Sequence, residues 1–215
     1  MRVNIGCGQT PIQGWNNFDN SISVRLAKFW KLIEFMKYLN LLDQNQLEFI
    51  KFAHKNKIEY GNVVEGLPLS NNSVEVLYSS HMLEHLDQNE VLLFFREAKR
   101  ILNQNGIIRL AVPDIRIQIN KYLKCMDADQ FVKDTLLTQP RPKSFFDKLR
   151  VLFVGARNHQ WMYDGKSLSM LLYKQGFKDI TIVNAGHTRI SNPMNLNLFE
   201  RSEESVYVEA IYPGN

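Results

Sequence analysis

Val3-Asn4-Ile5-Gly6-Cys7-Gly8, then Trp15-Asn16-Asn17-Phe18-Asp19, then Val74-Glu75-Val76-Leu77-Tyr78-Ser79-Ser80-His81-Met82-Leu83-Glu84-His85-Leu86, are the stretches that decide the fold. Residues 2–5 form a short apolar run that ends at Gly6, and 15–18 repeat the pattern and end at Asp19. Two such strands, one closed by Gly-x-Gly and the next by a carboxylate, are what a parallel sheet needs to hold a nucleoside at its carboxyl edge. The glycines let the backbone turn tightly and approach a ligand that a Cβ would repel. A carboxylate at a strand end accepts hydrogen bonds from both ribose hydroxyls. Only residues 9–14 separate Gly8 from Trp15, fewer than a helical crossover needs. Thr10-Pro11 and Gly14 punctuate this link as loop, so the first crossover helix is expected to be reduced to a turn.

Outward from these stretches the pattern alternates. Apolar residues recur at helical spacing from Val24 to about Lys57 and predict two helices, broken near Asn40 or Asp43-Gln44-Asn45. Ile58 to Val64 carries the third strand, Leu67 to Asn72 a loop, and Val74 to Ser79 a buried central strand. Asp87 to Leu102 reads as an amphipathic helix with Val91, Leu92, Phe95, Ala98, Ile101 and Leu102 inside, stopped by Asn103 and Gly106. Ile107 to Val112 is the next strand, ended by Pro113-Asp114. Ser167 to Lys174 is a helix, Ile180 to Val183 a strand, and Val206 to Tyr212 the final strand. This alternation specifies an α/β fold, a doubly wound and mostly parallel sheet in one domain over 1–215. Helical insertions are expected at 21–57 and 115–157. In the second, basic side chains outnumber acidic ones, and 145–153 reads either as an amphipathic lid or docking surface or as ordinary helix on the sheet.

The Gly6-Cys7-Gly8 loop, Asp19 and the Ser79-Ser80-His81-x-x-Glu84-His85-Leu86 run resemble the class I S-adenosylmethionine-dependent methyltransferases, of the small branch with this loop and this signature. The likeness covers 2–20, 60–114 and 158–183, with a closing strand at 206–212. It implies a seven-stranded, Rossmann-like sheet with an antiparallel last strand, S-adenosyl-L-methionine as cofactor, and methyl transfer as the reaction. By the same resemblance Gly6, Cys7, Gly8 and Asp19 hold the cofactor. Asn62-Val63 stands beside the adenine, where the family commonly has an acid, Leu67 lines the ring, and Ser80 and His81 border the methionine end. A nicotinamide dinucleotide fits less well, because Gly8 is followed by Gln9-Thr10-Pro11 instead of a third glycine and a helix N-terminus.

His81, Asp114 and His159 are the candidate catalytic residues. Asp114 follows the strand next to the central one, so it reads either as a base or substrate-orienting group or as a loop cap. The segment Asn158 to Asp164 is rich in groups that bind polar and aromatic ligands, and the resemblance returns it to the active-site mouth, where His159 meets a substrate proton. His81-x-x-Glu84-His85 also matches the inverted zinc-peptidase pattern, which requires a further downstream ligand. At the exit of a buried strand this is a poor protease site, and no metal is expected. Glu84 and His85 read as groups that cap and anchor the strand exit.

The chain has 215 residues, with 26 basic against 22 acidic side chains and a net charge of +4. That charge is spread along the chain, which permits an acidic substrate without predicting one. Cys7 and Cys125 form no disulfide framework, no apolar run approaches the roughly 20 residues of a membrane span, and a cytoplasmic location is expected. The expected partner is a small-molecule acceptor, such as a saccharide or cell-envelope precursor. Nucleic acid is disfavoured: the basic residues form no stripe, and Ser79-Ser80-His81-Met82 stands where nucleic-acid methyltransferases carry an Asn-Pro-Pro-Tyr-like tetrad. A non-catalytic binder of the cofactor, peripheral membrane contact, and a monomer or homodimer stay open.

Overall fold

The computed structural model describes residues 1–38, 42, 44–138 and 158–214. Strands β1 (Arg2–Ile5), β2 (Asn16–Asp19), β3 (Glu59–Tyr60), β4 (Val74–Ser80), β5 (Leu102–Pro113), β6 (Lys178–Val183) and β7 (Ser205–Ile211) form one sheet. Its order is β3-β2-β1-β4-β5-β7-β6, and β7 runs antiparallel to both its neighbours. The helices are α1 (Ile22–Leu26), α2 (Trp30–Tyr38), α3 (Gln44–Lys55), α4 (Gln88–Ile101), α5 (Ile115–Cys125), α6 (Ala128–Asp134) and α7 (Gly165–Lys174). The expected seven-stranded α/β sheet with an antiparallel last strand is therefore present. Among the described residues no helix is long and apolar enough to cross a membrane.

Successive side chains of a strand point to opposite faces, and here the two faces are covered differently. Leu77, Ile108, Leu110, Val112, Val206 and Val208 join the main core, where Phe94 and Phe95 of α4 and Leu168 and Leu172 of α7 also lie. Val76, Tyr78, Ala111 and Tyr207, from the alternate positions, pack with Ile12 and Trp15 and with Ile190 and Leu196, which belong to loops. A third cluster joins Cys7 to Val24, Ala27, Ile33, Ile50, Ala53 and Ile58, seating α1–α3 beside the first loop.

No helix links β1 to β2, as expected, and a buried asparagine replaces its hydrogen bonds. Asn17 Oδ1 accepts from Ile12 N at 2.7 Å and from Asn4 Nδ2 at 3.1 Å, while Asn17 Nδ2 donates to the carbonyls of Ile12 and Trp15, both at 3.0 Å. A loop that lies on a sheet face must have its backbone polar groups partnered. On the same face Arg109 and Glu209, opposite each other on β5 and β7, form a fully buried pair at 2.6 Å. Thr188 Oγ1 and Arg189 N donate to Glu209, and Arg109 donates to the His187 carbonyl, so the pair also fastens the 184–190 loop.

Several boundaries differ from expectation. A short additional helix, α1, precedes the two anticipated ones, and the third strand has only two residues. On α4, Leu92 is exposed and Phe94 is buried, because the inward stripe runs Val91, Phe94-Phe95, Ala98, Ile101. Asn103 and Gly106 do not make a separate loop. Leu102 already pairs with Val74, the ladder resumes at Ile107 opposite Val76, and the residues between bulge out of register. Asp87 starts α4 through a capping box with Glu90. Of the 115–157 insertion, α5 and α6 lie among the described residues, and the amphipathic 145–153 segment lies outside them.

Candidate active site

The strand order turns back between β1 and β4, and in open α/β sheets ligands bind outside the carboxyl ends of strands at such a switch point. Gly6 and Gly8 lie at the end of β1, Asp19 at the end of β2, and Ser80 and His81 at the end of β4.

The two glycines have different tasks. Gly6 has φ +68°, and a Cβ there would stand 2.6 Å from Met82 Cγ, so close packing and backbone conformation both demand glycine. Gly8 has φ +47°, and a Cβ there would meet nothing within 4 Å, so this residue borders open space. The amides of Gly6 and Cys7 both donate to the Phe18 carbonyl, at 2.8 and 3.1 Å, drawing the loop over the end of β2. Asp19, nearly buried, accepts from Gly8 N at 3.0 Å and from Ser21 N at 2.9 Å. One carboxylate thus ties the glycine loop to the start of α1. Each oxygen keeps further lone-pair capacity, so Asp19 is also equipped to accept from hydroxyls.

Cys7 turns its side chain into the core under α1 and α3, and burial, followed by the charge of Asp19, pushes its thiol well above the usual range. Its backbone is what remains for a ligand. Asn62 holds its own turn: Oδ1 accepts from Val64 N at 3.2 Å and Nδ2 donates to Glu65 at 2.9 Å. Val63 and Leu67 are buried in the main core. Asn62 and Leu67, with Tyr60, Gly61, Arg96 and Arg100, line an open cavity of about 960 Å³. Gly8, Asp19 and His81 do not border it. Glu97 of α4 fixes the rim, accepting from Leu67 N and Arg100, both at 2.7 Å.

At the end of β4 the chain bends through His81, whose φ is +50°. Its Nε2 lies 2.7 Å from Ser205 Oγ, and Arg201 donates to its Nδ1 at 3.0 Å. Since Nδ1 accepts, Nε2 carries the hydrogen and donates to Ser205. Burial first, then Arg201, lowers the His81 pKa to about 3, so the ring is a neutral, doubly bonded anchor. Glu84 follows on a short 3-10 turn, Leu83–His85, and is fully buried. Neither of its carboxylate oxygens has a hydrogen-bond partner among the described residues, and burial raises its pKa to about 8. Its own carbonyl accepts from Gln160 N at 2.7 Å and Trp161 N at 3.2 Å, which pins the 158–161 segment above the turn.

That segment brings His159 into place. Its Nε2 is 3.9 Å from Glu84 Oε1 and its ring centroid 5.0 Å from that of His85. Burial, then His85, lowers its pKa to about 4. Tyr163, also buried, has its hydroxyl pKa raised to about 12 by burial and then by the charge of Glu84. The structure thus brings His81, Glu84, His85 and His159 together. Asp114 is separate from them in role: it caps α5 by accepting from Arg116 N at 2.9 Å, and its own amide donates to Glu204. Sequence reasoning did not single out Arg201 and Ser205, the partners of His81. They come from an irregular loop and the start of β7, and nothing in local pattern marks them.

The family model described as a methyltransferase domain matches residues 37–110, which run from α2 to the middle of β5. The sheet order, with its antiparallel β7, is the arrangement expected of the S-adenosylmethionine-dependent methyltransferases. The matched model speaks for methyl transfer as the class of reaction. Among solved structures the chain is similar to an S-adenosylmethionine-dependent methyltransferase from Methanosarcina mazei, at 14% identity over 99% of this chain and 92% of that one, with a TM-score of 0.53. It is also similar to an S-adenosylmethionine-dependent methyltransferase from Thermotoga maritima described as a possible histamine N-methyltransferase, at 14% identity over 97% and 80%, with a TM-score of 0.52. At such identity these likenesses speak for the fold. No curated protein matches the sequence.

Proposed function

We propose that this protein is an S-adenosylmethionine-dependent methyltransferase acting on a small-molecule acceptor of the saccharide or cell-envelope precursor class, bound at the ends of β4 and β5. The observation that carries the cofactor half of the reading is the Asp19 carboxylate bonded to Gly8 N, beside a glycine whose missing Cβ borders open space. Gly6, Gly8 and the backbone of Cys7 would cradle S-adenosylmethionine, Asp19 would take its ribose hydroxyls, and Ser80 would border its methionine end. Asn62, Val63 and Leu67 would stand on the adenine side. When bound, the cofactor supplies a sulfonium methyl that is already electrophilic, so the protein's contribution is mainly alignment and electrostatics.

His159 and Glu84 are the groups we place on the acceptor side. Both are buried, and the carboxylate oxygens of Glu84 have no hydrogen-bond partner among the described residues, which suits contact with a polar acceptor. His81 has both ring nitrogens engaged, so its role is to position the turn that carries Glu84. Asp114 serves the start of α5 and orients the neighbouring segment. The 115–157 insertion would shape the acceptor pocket.

Calorimetric titration with S-adenosylmethionine and S-adenosylhomocysteine tests the first half, with Asp19→Ala alongside. Saturable one-site binding, weakened more than roughly tenfold in the variant (about 1.4 kcal/mol), is the expected result. Absence of binding by folded protein would overturn it. An acceptor screen of saccharides and envelope precursors, with RNA and DNA as comparison, tests the second half, and turnover confined to nucleic acid would refute the small-molecule assignment.

A further inference from the structure

The His81-x-x-Glu84-His85 pattern lacked a downstream ligand at the level of sequence, and the fold supplies one. His159 arrives from 74 positions beyond His85 because Gln160 N and Trp161 N both bond the Glu84 carbonyl. One ligand atom from each of Glu84, His85 and His159 then lies within 4.8 Å of the others. From this convergence we infer that Glu84, His85 and His159 form a binding site for a divalent transition metal of the zinc type.

Three physical features carry the assignment. The first is distance: tetrahedral ligands at about 2.0–2.1 Å from zinc stand about 3.3 Å apart. The 3.9 Å between His159 Nε2 and Glu84 Oε1 is within a small side-chain rotation of that. The second is unmet bonding. Glu84 is fully buried and both its oxygens lack hydrogen-bond partners among the described residues, the nearest imidazole nitrogens being His81 Nδ1 at 3.5 Å and His159 Nε2 at 3.9 Å. A buried carboxyl in that state is costly unless it is paired or ligates a metal. The third is placement: His85 Nδ1 lies 3.2 Å from the Asn158 carbonyl, which ties the imidazole to the residue just before His159.

Two imidazoles and one carboxylate make a three-ligand set, which suits zinc and other first-row ions far better than magnesium, an ion of all-oxygen sites. Arg201 opposes a cation here, but it is bonded to His81 and its side chain is 55% exposed, where solvent screens it. A three-ligand site keeps a coordination position for water or an acceptor oxygen. That use rests on the methyl-transfer reading, whereas metal binding itself does not.

The test is a titration of chelator-stripped protein with Zn2+ against a chromophoric competitor, without cofactor or acceptor, so its failure is separate from failure of cofactor binding. The expected result is one zinc per chain, not displaced by excess Mg2+. His85→Asn and His159→Asn should each weaken affinity by more than roughly tenfold. His187→Asn, at an exposed loop histidine, should leave it unchanged. X-ray absorption of the wild-type zinc complex guards against variants that fail to fold, and its first shell should contain two imidazoles. Absence of stoichiometric binding by folded wild type, wild-type affinity retained in both ligand variants, or a shell without imidazole would each overturn the assignment.

Discussion

Replacing Asn17 by alanine tests the idea that one buried side chain stands in for the missing first crossover helix. Asn17 makes four hydrogen bonds through its amide group, to Asn4, Ile12 twice, and Trp15. The loss is uneven. Asn4 Nδ2 keeps its bond to the Thr10 carbonyl, and the Ile12 carbonyl still accepts from Trp15 N. The Ile12 N–H and the Trp15 carbonyl lose the side-chain partner given to them here, under a loop that packs on the sheet. At about 1–3 kcal/mol for each of these two unsatisfied groups, the substitution should cost about 2–6 kcal/mol, a large fraction of the roughly 5–15 kcal/mol typical of a domain. Urea unfolding followed by circular dichroism measures it, with an unchanged m-value marking a true change in stability. The loop bears Gly8, so cofactor affinity should fall as well. A change in unfolding free energy within about 0.5 kcal/mol, the level of ordinary surface substitutions, would refute the argument that Asn17 organises this crossover.

Breaking the Arg109–Glu209 pair from one side, as in Arg109→Met, leaves Glu209 charged and buried and should cost about 3–5 kcal/mol by chemical denaturation; the double replacement Arg109→Met with Glu209→Leu should recover much of that loss. Gly6→Ala combines a positive φ with a Cβ only 2.6 Å from Met82, so it should lower the melting temperature and weaken cofactor binding together, and normal binding at normal stability would count against the packing argument. Asp164 caps α7 in a capping box with Ser167, and Asp164→Ala should cost about 1 kcal/mol near neutral pH. The Ser167 N–H holds this carboxyl below its usual range, so its stabilisation is present above the unfolded pKa and disappears as pH falls through the lower folded one; a wild-type-to-variant difference that stayed constant into strong acid would contradict this.

Legibility differed between elements for physical reasons. Strand β4 was legible because its residues are buried on both faces except at Glu75, which leaves Val76-Leu77-Tyr78 as an uninterrupted apolar run. The start of α4 was legible because Asp87 and Glu90 form a local cap. Its inward face was read one position off at Leu92, since a helix bearing Leu92, Leu93, Phe94 and Phe95 in succession leaves the stripe to be chosen by the sheet beneath it. The 103–106 bulge was not legible because it depends on which residue of β4 pairs with Leu102.

The same division runs through the candidate site. Short-range pattern determined the α/β alternation, the absence of a first crossover helix, and the places of Gly6, Gly8 and Asp19 at strand ends, because periodicity, proline, glycine and capping act over a few residues. Only the tertiary structure decided that Asn17 would complete the crossover, that Arg201 and Ser205 would engage both nitrogens of His81, and that His159 would meet Glu84 and His85. The histidine contacts join segments tens of residues apart in the chain, and the Asn17 bonds, to residues 2 to 13 positions away, form only where the loop lies on the sheet; sheet order and the packing of loops on its edge bring the groups together.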